Sequence, residues 1–322
     1  MKDLAAQIKD IWENNKTDFE QSLSYWLRRL EEGEKLLYQT RRQFHQWEPL
    51  RVYISVTKAK SSLFSLRFFG QEVAELVVRN GNVTLRLSKQ HNHNNVKWFK
   101  CRLNNGDYDW RGDDAKGFRE YFSRFALSEQ GRPRIGVPEH QIESKFIQVM
   151  HGTSGKFGVP NLKIQPVTIG GCPLQFPVPI SASTGQPKPG KGNIDILARH
   201  LGRNNKTRLS VWELKRPNTY AHAASQACIY AFTLLHILRD TNKGAKWYKL
   251  FGYRSSMPKR LEIEAVVAIT SDQKNKFIKE KTELQRSTSF EIGSDSIELY
   301  AAYYKEEAQS IKLEQDPFME SP

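Results

Sequence analysis

A chain of 322 residues, 39% hydrophobic and 26% charged, has the apolar content for a packed core and the length for two domains. It has no run of about 18 apolar residues, so no transmembrane helix and no membrane partner are expected. Its three cysteines (Cys101, Cys172, Cys228) are too dispersed for a disulfide framework or a zinc knuckle, and the net charge of +14 suits a polyanionic partner.

The opening residues, MKDLAAQIKD, lack the apolar stretch and small-residue cleavage site of a signal peptide, so a cytoplasmic location is expected. Residues 1–48 are predicted helical, with Leu23, Trp26, Leu27, Leu30, Leu36 and Leu37 in a helical rhythm and Gly33 marking a break or an exposed face. From 50 to 101 the period changes. RVYISV, LFSLRFF, EVAELVV, NVTLRL and VKWFKC read as strands, Asn80-Gly81 as a hairpin turn, and QHNHNN (90–95) as a polar loop. A helix over 115–127 closes this unit. Residues 128–138 read as a linker, which divides the chain into an N-terminal mixed α/β accessory domain (1–130) and a second domain (131–322).

In the second domain a helix is predicted over 139–150, with Pro138 in its first turn and Ile142, Phe146, Ile147 and Met150 on one side. A strand (162–169), a mobile Gly/Pro/Ser-rich loop (170–193), and strands at 194–201 and 207–215 joined by a basic turn come next. The clearest helix in the chain spans 220–238. A strand (261–270), a helix (272–284) and a strand (296–304) complete the pattern.

The charge is concentrated. Residues 131–260 carry 20 Lys and Arg against 5 Asp and Glu; residues 1–130 carry 22 against 17, and residues 261–322 carry 7 against 13. The middle segment therefore holds the excess that a nucleic acid attracts. Its five acids are Glu139, Glu143, Asp195, Glu213 and Asp240. Each weakens phosphate binding, and metal ligation is one reason to keep them.

Two motifs mislead. GQPKPGKG (185–192) has the spacing of a phosphate-binding loop, with Lys191 in the lysine place, but Gly192 stands where Ser or Thr is needed and a strand rather than a helix is predicted next. His91 and His93 flank Asn92 as in the letters of HNH nucleases, without a ligand-spaced partner; His140, His151, His200, His222 and His236 are scattered too.

The chemistry concentrates in VWELKRPN (211–218) and GNIDILARH (192–200). Alternating strand side chains put Glu213 and Lys215 on one face. Asp195, disfavoured in a strand, lies 18 positions upstream, the distance for two antiparallel strands and a turn to bring it beside Glu213. Glu143 on the preceding helix offers a third carboxylate, and the Leu214 carbonyl a further oxygen. Such hard-oxygen donors suit Mg²⁺ or Mn²⁺, which acidify a bound water and stabilise charge on phosphate; Lys215 can orient the water. The plain alternative is a pair of edge strands with solvated charges.

The order helix (Glu143), strand, strand (Asp195), strand (Glu213-Leu214-Lys215), helix, strand resembles the PD-(D/E)XK nuclease superfamily over about residues 135–270, with Ile194-Asp195 in place of Pro-Asp. Gln226 and Tyr230, four apart on the 220–238 helix, look like the Gln-X-X-X-Tyr element of the RecB-like branch, although Ile229, Leu234, Leu235 and Leu238 also fit plain core packing. The resemblance implies an α/β restriction-endonuclease-like core, a central mixed β-sheet flanked by helices, and a metal-dependent deoxyribonuclease of restriction or antiphage type. In it Asp195, Glu213, Leu214 and Glu143 hold Mg²⁺ or Mn²⁺, Lys215 assists the nucleophile and Gln226 positions DNA. Lys191, Arg199, Arg203, Lys206 and Arg216 are the candidate phosphate contacts. The alternatives are a non-catalytic DNA-binding subunit with a decayed nuclease fold and a ribonuclease of the same architecture. A homodimer, or a complex with a partner protein or motor subunit through the N-terminal domain, is expected.

Overall fold

The computed structural model describes residues 2–40, 43, 49–56, 62–128, 138–151, 157–202, 206–216, 222–284, 289–307 and 310–318. They form two compact units, residues 26–144 with 168–174, and residues 1–25 with 145–167 and 175–322. The division is interleaved rather than a single cut near residue 130. Two contacts account for the interleaving. Trp12 of helix α1 (Lys2–Asn14) stacks on His236 at 5.2 Å, which ties the N-terminus to the second unit. The short pair β7 (Thr168–Ile169) and β8 (Cys172–Pro173) joins the first unit through a bridge from Leu174 to Ile54.

The first unit is an antiparallel meander, β1 (Leu50–Ile54), β2 (Phe64–Phe68), β3 (Gln71–Arg79), β4 (Asn82–Leu87) and β5 (Gly106–Asp109), in chain order. Between β3 and β4, Asn80 (φ 50°) and Gly81 (φ 78°) form the predicted two-residue turn, both left-handed so that the strands keep their twist. Two expectations fail together: residues 90–95 are not a loop and VKWFKC is not a strand. Both lie in helix α3 (Lys89–Phe99) or just past it. Ser88 caps this helix by accepting the His91 N–H, and His91 Nδ1 accepts the Ser88 N–H in return. His91, Asn95 and Phe99, four apart, form its buried stripe. Helix α4 (Asp113–Leu127) places Phe122 against Phe68 and Phe99 at 4.9 and 5.4 Å. Helix α2 (Lys16–Gln39) runs unbroken through Gly33, which is buried; a Cβ there would meet Ile54 at 3.5 Å.

The second unit is a mixed α/β structure around a seven-stranded mixed sheet. Its strands are β6 (Ile164–Pro166), β11 (Ile196–Leu201), β12 (Thr207–Leu214), β13 (Glu262–Thr270), β14 (Ser289–Ile292), β15 (Asp295–Glu306) and β16 (Ile311–Leu313). The order is β14-β15-β13-β12-β11-β6, with β16 also paired to β15. The pairs β6–β11 and β11–β12 are antiparallel, and β12–β13 and β13–β15 are parallel. The strand predicted over 162–169 ends early, because β6 and β7 pair in different sheets. The expected mobile loop at 170–193 is largely a second hairpin, β9 (Phe176–Ser181) with β10 (Lys188–Ile194). Its prolines and glycines suggest a loop, but Phe176, Val178 and Ile180 are fully buried and anchor it.

Helices cover both sheet faces. Successive β12 side chains point opposite ways. Trp212 meets Phe146 of helix α5 (Pro138–His151) at 5.9 Å, and helix α6 (Ala223–Arg239) packs on β12 and β13. At the lower edge Asp295 accepts from the Arg239 guanidinium and the Leu261 N–H. Burial opposes its ionisation, but these donors outweigh it and hold the carboxyl below the usual range. The folded value being depressed, this stability is present above the unfolded value of about 3.9 and is lost as pH falls below it. Asp295→Asn is expected to lower stability at pH 7 and to flatten its decline between about pH 4 and pH 2, measured by urea unfolding at each pH.

Candidate functional site

Asp195 occupies the bend between β10 and β11, and Glu213 the second-last position of β12. The β11–β12 register pairs Ile196 with Trp212 and so brings Asp195 opposite Glu213. Asp195 Oδ2 accepts the Leu214 N–H at 2.8 Å. Lys215 Nζ donates to Glu213 Oε1 at 2.6 Å, so the two share a face as the alternation predicts. The chain leaving the site is pinned twice: Lys215 N–H donates to Ala268 O (2.9 Å) and Tyr304 Oη to Lys215 O (3.0 Å).

Glu213 is 4% exposed, Asp195 and Lys215 half-buried. Tyr230 on α6 is buried as a core residue, and its oxygen is hydrogen-bonded by the backbone of Ala182 and Asn193. Burial, then the negative fields of Glu213 and Asp195, push its hydroxyl up to about 12. One phenol oxygen thus feels both carboxylates while it holds the β9–β10 hairpin to α6. Gly192 makes this approach possible, since a Cβ there would lie 2.8 Å from the Tyr230 ring. Sequence reading assigns Tyr230 no such part, because the hairpin it ties down reads as a loop.

The other candidates are spread out. Gln226 is half-buried one turn before Tyr230. Lys191 is exposed on β10, the strand that leads into Asp195, and Arg216 directly follows Lys215. Arg199 and Lys206 are not brought to the carboxylates. Arg199 donates to Gly252 O and Gln165 Oε1, and Lys206 lies seven residues before Glu213, roughly 23 Å away at strand rise. Arg203 lies outside the described residues. Glu143 belongs to the first unit, buried beside Tyr53 in a field shared with Arg67 and Arg51. In the GQPKPGKG segment, Lys188–Ile194 is a strand, without the helix that a phosphate-binding loop requires.

Asp195 and Glu213, opposite one another in the register, offer carboxylate oxygens only, the donor type that a hard divalent ion takes. A second group, Glu72, Glu75 and His91, has ligand atoms within 4.8 Å of one another. Its hydrogen bonding works against a metal. His91 Nδ1 accepts the Ser88 N–H, so Nε2 carries the proton, and it lies 3.1 Å from Glu72 Oε1. Ligation through Nε2 would need that proton on Nδ1, where it would oppose the Ser88 N–H and cost α3 one of its two capping bonds. Added Zn²⁺ is expected to leave the thermal midpoint unchanged or lower it, which differential scanning fluorimetry would read.

Among the described residues no helix is long and apolar enough to cross a membrane. Searches against family models, curated proteins and solved structures returned no match for this chain.

Proposed function

We propose that this protein is a metal-dependent deoxyribonuclease whose site is formed by Asp195, Glu213 and Lys215 at one end of a restriction-endonuclease-like sheet. The observation that carries the reading is the juxtaposition of an Asp195–Leu214 hydrogen bond with the Glu213–Lys215 pair, on adjacent antiparallel strands. The density of Lys and Arg in residues 131–260 supports a polyanionic substrate.

Asp195 and Glu213 would hold Mg²⁺ or Mn²⁺, with the Leu214 carbonyl as a further oxygen. When bound, such an ion supplies Lewis acidity and an acidified water. Leu214 N–H fixes the Asp195 carboxylate. Lys215 orients a water and offers positive charge to the phosphate as negative charge develops on it. Tyr230 holds the hairpin that carries Lys191, and Lys191, Arg216 and Gln226 contact the DNA backbone. A defence role, by restriction or against phage, fits such an activity.

The test is incubation of supercoiled and linear plasmid, and of single-stranded RNA, with Mg²⁺, Mn²⁺ or EDTA. Cutting of DNA with either metal, abolished by EDTA, is the expected result. Preferential cutting of RNA would replace deoxyribonuclease with ribonuclease. The tight Glu213–Lys215 ion pair favours a second reading, a non-catalytic DNA-binding subunit. That reading predicts DNA binding unaffected by EDTA and no cleavage under any condition.

A further inference from the structure

At the opposite end of β12 lies a cavity of about 380 Å³, within the range of small-ligand sites. It is formed where β12 and β13 begin, and Arg208 is five residues, roughly 16 Å of strand, from Glu213. Its walls are chemically divided. One side is aromatic: Tyr248 of helix α7 (Gly244–Leu250) and Tyr253 stack at 4.2 Å with 13° between their planes. Leu209, Leu261 and Ile263 add aliphatic lining.

The other side is cationic, with Lys206, Arg208 and Arg260 against a single carboxylate, Glu262. Glu262 orients two of these cations, Arg208 Nε at 2.6 Å and Arg260 Nε at 3.7 Å; Glu291 also takes Arg260 at 3.1 Å. The lining thus keeps a positive excess, and the Arg208 guanidinium is held by its Glu262 pair. Tyr253 Oη is buried and meets no hydrogen-bond partner among the described residues. A buried hydroxyl without a partner is uncommon in folded proteins. The cations account for an anion, and the tyrosine pair and aliphatic floor for a planar ring.

We infer that this cavity binds a free mononucleotide, its base against the tyrosine side and its phosphate among Lys206, Arg208 and Arg260. The site is independent of the nuclease reading. Arginine forks suit phosphate oxygens, and aromatic faces accept any base.

The experiment is isothermal titration of the full-length chain in EDTA with AMP, adenosine and inorganic phosphate separately. AMP is expected to bind below about 1 mM, and adenosine and phosphate each at least about tenfold more weakly, since each lacks one half of the recognition. Arg260→Glu, a reversal on a half-exposed side chain, is expected to weaken AMP about tenfold or more, and Tyr253→Leu to weaken AMP while sparing phosphate. Glu213→Gln is expected to leave AMP binding unchanged. No heat from AMP at about 5 mM, phosphate binding as tightly as AMP, or binding indifferent to Arg260→Glu would each overturn the inference.

Discussion

Lys215→Met is expected to lower Mg²⁺-dependent plasmid cleavage by roughly 10²–10³-fold, the loss that follows removal of one preorganised charge from a developing oxyanion. Methionine keeps most of the aliphatic stem and so limits the packing loss. Cleavage alone does not separate a lysine acting on the reaction from one that merely pairs with Glu213. Metal binding does. Asp195→Asn and Glu213→Gln, which replace the proposed ligands, are expected to abolish both cleavage and Mn²⁺ binding measured by calorimetry. Lys215→Met is expected to abolish cleavage and to keep or tighten Mn²⁺ binding, because Glu213 loses a competing cation 2.6 Å away. Cleavage that survives both Asp195→Asn and Lys215→Met would remove the site from this end of the sheet.

Trp212→Ala is expected to cost about 3–5 kcal/mol of unfolding free energy, the range for deleting a large buried aromatic side chain. Trp212 is 0% exposed and lies parallel to Phe157 (6.3 Å, 9°), with Phe146 and Phe318 also around it, and its indole N–H donates to Ser210 Oγ. The alanine variant leaves a cavity and a hydroxyl without its donor. In urea the midpoint for the second unit should fall by about 1–2 M, and by clearly less for Trp212→Phe, which refills much of the space. Trp212 neighbours Glu213 on the strand but points to the opposite face. A midpoint that moves by less than about 0.3 M would mean that this face is not the core.

The consequences for the site are asymmetric. Glu213 and Lys215 are two apart on one strand, so pleat geometry alone puts them together, and VWELK reveals it without a structure. Asp195 needs only a hairpin, whose register follows from a short turn. Glu143 shows the limit of that reasoning. Its helix is legible from Ile142, Phe146 and Ile147, but the compact unit to which a helical carboxylate belongs depends on contacts made by segments far away in the chain. Arg199 and Lys206 lie away from the two carboxylates for a related reason. Counted along the chain they neighbour the site, yet strands extend by about 3.3 Å per residue and carry them away from it.

Local patterns by themselves determined the Asn80-Gly81 hairpin, the buried helix at 223–239, the apolar strand at 262–270 and the face shared by Glu213 and Lys215, because each rests on interactions within a few residues. Only the tertiary structure decided the rest. It turned 90–95 into a capped helix, because His91, Asn95 and Phe99 could be buried. It turned a proline- and glycine-rich loop into the β9–β10 hairpin, because Phe176, Val178 and Ile180 found a core and Tyr230 a backbone to hold. It interleaved the two units, because burial is won by whichever segments meet in space, whatever their distance along the chain.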